Sequence, residues 1–260
     1  MTETMDIKEF FDENGYYVAK GVFNGQELEE LTTDFDRIVD QLLASGEGIN
    51  GSWQSEAADV VRTEKESVIL HTHQVQFYSS AWARAFYNAD FLSVATDILG
   101  PSVMLHHSKL FQKPAGTGAP FPLHQDWRYF PTKNDSMIAA VIHISESNDE
   151  MGCFRVVPGS HKLGRMLGSQ GFEKLENVNE EIKKHNLEDA LPMEAEPGDV
   201  VFFHYFTLHG SKQNTSDKIR KTILVQLHAG DDEIEEGNTH TNSRQMLAGF
   251  NPNATRKGAE

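Results

Sequence analysis

Residues 219–228 (sequence IRKTILVQLH) alternate between apolar and polar side chains, which limits the possible folds more than any other feature of the chain. In a β-strand, successive side chains point to opposite faces of the sheet. A strand here has an apolar face that could pack against N-terminal helices and a mostly polar second face. The apolar face contains Ile219, Ile223, Val225 and Leu227, and the second contains Arg220, Thr222, Leu224, Gln226 and His228. The second face lines a wet cavity or meets bulk solvent, and alternation alone does not decide between them.

The remaining strand-like segments are short and separated by Gly/Pro turns, and the predicted helices are concentrated near the N-terminus. Strands are predicted at 16–23, 68–77, 102–113, 137–144, 152–157 and 200–203, and helices at 6–13, 24–43, 80–87 and 90–99. This order is typical of a mainly β, antiparallel sandwich or barrel with flanking helices. No linker divides the chain, so we expect one domain over residues 1–260.

Three long segments lack a clear pattern of secondary structure. Residues 44–66 are rich in Gly, Ser and charge and are predicted to form a loop that is mobile or acts as a lid. Residues 165–191 are predicted to be an insertion between strands, and residues 229–260 a loosely attached polar tail.

Charge and cysteine content exclude several classes of function. With 39 acidic and 23 basic residues the formal charge is −16, which argues against nucleic acid and anionic membranes as partners. The N-terminal residues contain no apolar run, so neither a secretory signal nor a membrane span is expected. The single cysteine, Cys153, excludes an intrachain disulfide and a cysteine-based metal cluster. We therefore expect a cytoplasmic protein.

The tripeptide His124-Gln125-Asp126 suggests a metal site. In an extended strand, His124 and Asp126 share one face. Together with a histidine from a neighbouring strand they would form a 2-His-1-carboxylate triad, the ligand set of non-haem Fe(II) oxygenases. An isolated H-x-D tripeptide is a weak signal, so its interpretation depends on the surrounding sequence.

Two longer segments resemble the phytanoyl-CoA dioxygenase family. PLHQDWRYFP at residues 122–131 is similar to that family's metal-binding segment. HGSKQNTSDKIR at residues 209–220 is similar to its H-x-S-x-x-N-x-S-x-x-x-R segment, and residues 152–161 match as well. The resemblance extends from the N-terminal helix to about Leu227.

The resemblance implies a double-stranded β-helix, or jelly roll, that uses Fe(II), 2-oxoglutarate and O2. His124, Asp126 and His209 would be the iron ligands, because the family spacing to Arg220 selects His209 over His204. Arg220 would hold the distal carboxylate of 2-oxoglutarate, for which the guanidinium fork is suited. Further cofactor contacts would come from Ser211, Lys109 and Gln74.

The implied activity is hydroxylation of a C–H bond of a small organic molecule, with release of succinate and CO2. Asp126 favours hydroxylation or desaturation over halogenation, because related halogenases replace this carboxylate with a small residue. Substrate contacts are predicted at Arg128, His106 and Trp127, while Tyr129 is expected to be a packing aromatic. His204 is expected to be a polar residue at a strand end.

Three alternatives remain open. A catalytically silent cupin-like module would bind a metal or ligand without oxidation. A zinc hydrolase would lack an obvious general base and would leave Arg220 unexplained. An acyl-CoA substrate is less attractive than a small polar or zwitterionic metabolite for so acidic a chain. The oligomeric state is left open.

Overall fold

Two antiparallel β-sheets pack face to face in the computed structural model, which describes residues 6–63 and 67–256. The larger sheet has the order β1-β8-β5-β10-β3-β11, with β2 also paired to β3, and the smaller has the order β4-β9-β6-β7. This arrangement confirms the predicted jelly-roll class. The strands are β1 (Tyr16–Ala19), β2 (Leu70–His73), β3 (Val103–Lys113), β4 (Phe121–His124), β5 (Ile138–His143), β6 (Phe154–Val156), β7 (Leu191–Met193), β8 (Val200–His204), β9 (His209–Ser211), β10 (Arg220–Ala229) and β11 (Gln245–Ala248).

The helices are α1 (Ile7–Asn14), α2 (Gly25–Ser45), α3 (Glu56–Val61), α4 (Ser80–Ala85) and α5 (Ala89–Leu99). Four of these helices, α1, α2, α4 and α5, pack on the outer face of the larger sheet, whereas α3 contacts β4 of the smaller sheet. The α2 side chains Leu31, Phe35, Ile38 and Val39 are buried in the same core as the apolar face of β10. The predicted packing of that face against N-terminal helices is therefore confirmed for Ile223, Val225 and Leu227, while Ile219 precedes the strand and is 43% exposed.

The predicted strand at 68–77 is wrong in its second half. Gln74 has φ 58° and ψ 53°, a left-handed conformation that a strand cannot contain. The extended segment therefore ends with β2 at His73, and a 3-10 helix (Val75–Phe77) follows. Polar and apolar residues alternate through this turn, so alternation did not reveal it.

Helix ends also differ from the prediction in places. The α5 helix begins at Ala89, one residue before the predicted start, and is capped by Asn88, whose side chain accepts hydrogen bonds from the Asp90 and Phe91 amides. The predicted loop at 44–66 contains the last turn of α2 and all of α3, and its residues 64–66 lie outside the described residues.

The prediction of a loosely attached C-terminal tail is wrong for residues 229–248. Strand β11 pairs with β3, the Thr239 amide donates to the Tyr129 carbonyl at 2.8 Å, and the Ser243 amide donates to the His106 carbonyl at 2.6 Å. Backbone hydrogen bonds fix this segment regardless of its polar side chains. Residues 257–260 lie outside the described part of the chain.

No helix within the described residues combines the length and apolar composition needed to cross a bilayer.

Candidate active site

His124, Asp126 and His209 converge between the two sheets. One potential ligand atom from each lies within 4.8 Å of the others, and all three residues are buried. Nε2 of His124 lies 3.5 Å from Oδ1 of Asp126, and Nε2 of His209 lies 3.7 Å from the same oxygen. Among the described residues this is the one group of metal-ligating side chains at such spacing.

The local backbone brings these residues together differently from the extended H-x-D of the sequence prediction. His124 is the last residue of β4 and pairs directly with His209, the first residue of β9. Asp126 lies beyond the strand with φ −85° and ψ −18°, at the start of a 3-10 helix (Trp127–Tyr129). Its amide donates to the Tyr205 carbonyl at 2.9 Å, which fixes this turn. The helical turn, and not an extended strand, directs the carboxylate toward the histidines.

Hydrogen bonds fix the orientation of both imidazole rings. Nδ1 of His124 lies 2.8 Å from the Pro122 carbonyl, and Nδ1 of His209 lies 2.8 Å from the Thr207 carbonyl. A carbonyl oxygen accepts, so each Nδ1 donates and each Nε2 keeps its lone pair. Bonds of this kind orient metal-binding histidines. Burial lowers the pKa of His209 to about 3, so this ring is neutral at pH 7 and able to coordinate.

The Asp126 carboxylate is ionised. Burial alone would raise its pKa, but the nearby His209, His124 and Lys109 outweigh burial, so its pKa falls below the usual range. Gln226, on the cavity face of β10, donates to Oδ2 at 3.1 Å. Oδ1 is thereby left facing the two histidines.

This donor set fits an iron(II) ion. Neighbouring ligand atoms of an octahedral site with bonds of about 2.1 Å lie about 3 Å apart, close to the observed separations. The two free Nε2 lone pairs and the ionised Oδ1 supply the three ligands of a facial triad. An ordinary ion-pair cluster would not require both rings to turn their lone pairs toward one carboxylate oxygen.

A second buried cluster, at the other end of the cavity face of β10, is cationic. Arg220 begins β10 and lies opposite Lys113, the last residue of β3. Nζ of Lys113 donates to Oγ of Ser211 at 2.7 Å and to the Lys212 carbonyl at 2.6 Å. Arg220 donates from one nitrogen to the Gly152 carbonyl, while its Nε has no partner among the described residues. Lys113, Arg220 and Ser211 are 0%, 7% and 3% exposed.

Neither cation of this cluster has a carboxylate partner within the described ranges. Burial lowers the pKa of Arg220 to about 10, and burial together with the charge of Arg220 holds the pKa of Lys113 well below its usual range. Two uncompensated buried cations are costly unless an anion joins them. The cluster therefore has the chemistry of a carboxylate-binding site.

A cavity of about 270 Å³ joins the cationic cluster to the triad. Arg220, Thr222 and Leu224 line it, which decides the question that alternation in β10 had left open: the polar face borders a cavity and not bulk solvent. The strand rises about 3.3 Å per residue, so Arg220 and Leu224 are separated by about 13 Å along it.

The end of the cavity away from Arg220 is formed by residues from several segments. Lys109 on β3 and His73 on β2 lie opposite each other, and His240 from the C-terminal segment lies beside His73, with 5.3 Å between ring centroids. Trp53 comes from the segment at 44–66 and Phe172 from the segment at 165–191. Tyr129 lies three residues after Asp126 of the triad. Burial lowers the pKa of Lys109 to about 8, and Asp126 opposes this shift.

The structure places several predicted site residues outside the cavity. Gln74 donates to the Thr241 carbonyl at 3.0 Å and is not part of the lining. Arg128 is exposed and stacks 5.5 Å from the Trp127 ring. Trp127 itself donates to the Met166 carbonyl at 3.2 Å. His106 is fully buried against His107, with 2.6 Å between their Nδ1 atoms.

The remaining predicted residues lie as follows. Ser211 and Lys109 line the cavity, and His204 ends β8 with Nε2 2.9 Å from the Asp135 carbonyl, away from the triad. Tyr129, expected to be a packing aromatic, also lines the cavity.

Sequence reasoning missed Lys113, Trp53, Phe172 and His240. A signal was available for Lys113 alone: it lies in the same register of β3 as the predicted Lys109, and the structure pairs it with the predicted Arg220. The other three lie in segments without periodicity, so no local pattern marked them.

Comparisons with known proteins agree with this site. Residues 11–222 match the model of the phytanoyl-CoA dioxygenase family. A probable alpha-ketoglutarate-dependent hypophosphite dioxygenase from Stutzerimonas stutzeri is 27% identical over 86% of this chain and 78% of its own. The human peroxisomal phytanoyl-CoA dioxygenase is 28% identical over 88% of this chain and 69% of its own.

A solved structure shares the fold. The crystal structure of EctD from S. alaskensis with 2-oxoglutarate and 5-hydroxyectoine has a TM-score of 0.69 and 22% identity. The alignment covers 100% of this chain and 87% of that one.

Proposed function

The chain belongs to the phytanoyl-CoA dioxygenase family and is an iron- and 2-oxoglutarate-dependent dioxygenase that acts on a small molecule, and we propose that it hydroxylates a C–H bond with His124, Asp126 and His209 as iron ligands. When bound, iron and 2-oxoglutarate supply the oxidising chemistry, in which O2 is consumed and 2-oxoglutarate leaves as succinate and CO2. The three side chains hold the metal, and their hydrogen bonds keep each Nε2 and Oδ1 directed at one point.

The cationic cluster binds the distal carboxylate of 2-oxoglutarate. Arg220 presents an unpartnered Nε and a planar fork of donors, and Ser211 adds a hydroxyl. Lys113 contributes a positive charge and holds the Ser211 oxygen at 2.7 Å. Along β10, about 13 Å separate Arg220 from Leu224 at the triad end of the cavity. This length is enough for a dicarboxylate to extend from the cluster to the triad. Gln74 has no part in this site because its side chain is bonded elsewhere.

The cavity favours a small substrate. Its volume of about 270 Å³ lies at the lower end of the range of about 300–1,000 Å³ for small-molecule sites. Because 2-oxoglutarate takes part of that space, an acyl-CoA would lie largely outside it. Relatives named for hypophosphite and ectoine support a compact substrate more than the relatives named for phytanoyl-CoA do. A cytosolic location stays a prediction that rests on the single cysteine.

The observation that carries this proposal is the alignment of two free histidine Nε2 atoms and one carboxylate oxygen at 3.5 and 3.7 Å. The test is an anaerobic titration with Fe(II) and then 2-oxoglutarate, followed by visible absorption. We expect a charge-transfer band that is absent in His209→Ala and retained in His204→Ala, the matched control outside the cavity. A wild-type protein that binds both without this band would contradict the proposal and support a silent module, and one that binds neither would contradict both readings.

A further inference from the structure

Lys109 is a cation without a counter-ion inside the cavity. No ion pair joins it to a carboxylate in the described part of the chain, and its Nζ lies 5.8 Å from the centroid of Phe130. Asp126 is the one acidic side chain among the described residues that line the cavity. That carboxylate already faces two histidines and accepts a hydrogen bond from Gln226. Of the 39 acidic side chains of this chain, Asp126 is therefore the one that the described cavity lining places near Lys109.

Strand register separates Lys109 from the cluster that binds the distal carboxylate. Lys109 lies opposite Leu224, whereas Arg220 lies opposite Lys113, four residues away on each strand. Four residues span about 13 Å. Lys109 is therefore level with the triad end of the cavity, and it does not share the carboxylate held by Arg220.

The positive charges of the site exceed its negative charges after iron and the co-substrate bind, so the charge of Lys109 is not neutralised. The charges of one Fe(II) ion, Arg220 and Lys109 exceed by one the charges of Asp126 and of the two carboxylates of 2-oxoglutarate. Any positive charge on Lys113 increases this excess. A buried excess charge is costly, and an additional anion would remove that cost.

Two neutral histidines stand next to Lys109 as hydrogen-bonding groups. His73 lies opposite Lys109 in the β2–β3 register, and His240 lies 5.3 Å from His73 between ring centroids. A neutral imidazole offers one N–H donor and no charge of its own. His240 Nδ1 lies 2.9 Å from Thr239 Oγ1, whose hydroxyl donates to the Tyr129 carbonyl, so the N–H of His240 is engaged there. Lys109 and the N–H of His73 remain, and together they favour an oxyanion over a cation or an uncharged group.

Aromatic rings close the rest of this end of the cavity. The centroid of the Trp53 ring lies 4.6 Å from those of His124 and Phe172, and the Tyr129 centroid lies 5.9 Å from that of Phe172. These rings suit the carbon skeleton of a substrate and supply no counter-charge for an anion. The two kinds of wall separate a charged part of the substrate from an apolar part.

We propose that Lys109 and His73, next to His240, bind an anionic group of the substrate, a carboxylate or a phosphonate, on the side of the triad away from Arg220. This inference rests on the proposed function and names its substrate class: a small organic anion. The same lysine chemistry would suit the near carboxylate of 2-oxoglutarate, so the experiment must distinguish the two anions.

The test measures binding of matched acids and neutral analogues by calorimetry to the full chain, loaded anaerobically with Fe(II) and 2-oxoglutarate. The probes are butyrate and butyramide, phenylacetate and phenylacetamide, and ethylphosphonate and its dimethyl ester. In at least one pair, we expect the acid to bind about tenfold or more tightly than its neutral analogue. Equal or weaker binding of the acid in every pair, or no binding of any acid, would overturn the inference.

Variants of Lys109 test whether this residue causes the preference for the acid over its neutral analogue. Lys109→Met should remove the preference for the acid and leave the Kd of 2-oxoglutarate within about twofold, while Lys109→Arg should keep the preference. Lys221→Met is the matched control, because Lys221 is a half-buried lysine of the same sheet that faces away from the cavity and pairs with Asp36. It should change neither constant.

These measurements distinguish binding of the co-substrate by Lys109 from binding of the substrate, and failure of this inference from failure of the proposed function. A large rise in the Kd of 2-oxoglutarate in Lys109→Met, with the acid preference intact, would assign Lys109 to the co-substrate and overturn the inference. The 2-oxoglutarate titration precedes the acids. If 2-oxoglutarate binds and the acids do not, this inference alone fails. If 2-oxoglutarate does not bind the wild-type protein, the proposed function fails as well.

Discussion

The two ends of the cavity are built in different ways. The Arg220 end is formed by the hydrogen-bonded strands β3, β9 and β10, and its side chains are held by register and by contacts such as Lys113 to Ser211 at 2.7 Å. The Lys109 end also takes residues from the loop before α3, the 165–191 insertion and the C-terminal segment, which supply Trp53, Phe172 and His240.

The two ends meet different requirements: the Arg220 end binds a co-substrate of constant shape, and the Lys109 end binds the substrate. The end built from strands suits a co-substrate whose shape never changes, because strand register places its side chains rigidly. The other end takes residues from connecting segments, which tolerate change at little cost to the fold. Substitutions at each end should therefore affect different ligands.

The largest effect is expected from Arg220→Ala. Removing the guanidinium should raise the Kd of 2-oxoglutarate about 100-fold or more, because truncating one partner of a buried charge pair costs about 2–5 kcal/mol. Calorimetry of the Fe(II)-loaded protein measures this constant. Arg128→Ala, at an exposed arginine outside the cavity, is the control and should leave it unchanged. Unaltered affinity in Arg220→Ala would mean that the co-substrate lies elsewhere.

Acid should lower the free energy of unfolding, because buried histidines lie at both ends of the cavity. Burial lowers the pKa of His106, behind the Lys109 end, to about 3, and that of His143, which lines the Arg220 end, to about 4. An unfolded chain binds protons with a histidine pKa of about 6.5, so it holds more protons than the folded chain below that pH. The free energy of unfolding should therefore fall as the pH drops from 6.5 toward 4, by about 2 kcal/mol for each histidine between pH 7 and 5.

Urea unfolding at pH 7, 6 and 5 measures this slope. Asp126 does not contribute to it, because its pKa lies below the usual carboxyl range and its ionised state persists through this window. A flat profile between pH 7 and 5 would show that these histidines take up protons in the folded protein.

A smaller effect is expected from Lys113→Met, which removes the second cation of the Arg220 end. The Kd of 2-oxoglutarate should rise about tenfold, because the hydrogen bond to Ser211 and one favourable charge are lost while Arg220 remains. Lys218→Met, at an exposed lysine paired with Glu146 just before β10, is the control. If both variants bind 2-oxoglutarate as the wild type does, Lys113 serves only to support the strands.

The smallest effect is expected from Gly171→Ala at the Lys109 end. A Cβ at this position would lie 2.3 Å from the Trp53 ring, so the ring must move, and φ of +78° adds strain. Gly46→Ala is a control, because φ is +73° and ψ is 7° at this position but the space around the Cβ is open. Both variants should lose about 1 kcal/mol of stability from the positive φ.

Fluorescence and co-substrate binding separate these two glycine variants. Gly171→Ala alone should alter the emission of Trp53 and weaken binding of the preferred acid a few-fold, while the Kd of 2-oxoglutarate stays constant in both. A change in 2-oxoglutarate binding in Gly171→Ala would show that the two ends are coupled and not independent.

Local pattern predicted the parts of the molecule that depend on side-chain direction. The alternation in residues 219–228 placed Ile223, Val225 and Leu227 in the core and Arg220 on the opposite face. This prediction was correct because the two faces of the strand have different surroundings: one packs in the core and the other borders the cavity. The same reasoning failed at Gln74 and Asp126, where one turn reverses the direction of the chain while the polarity of neighbouring residues gives no sign of it.

The sequence by itself determined a mainly β sandwich or barrel and an H-x-D tripeptide, because these signals lie within a few residues of chain, and the family resemblance added the jelly roll, His209 and Arg220. Only the tertiary structure decided that His240 and Trp53 border the same cavity as Lys109, and that Lys113 lies beside Arg220. Those contacts join segments far apart in the chain, and their positions depend on packing and backbone pairing that no local pattern encodes.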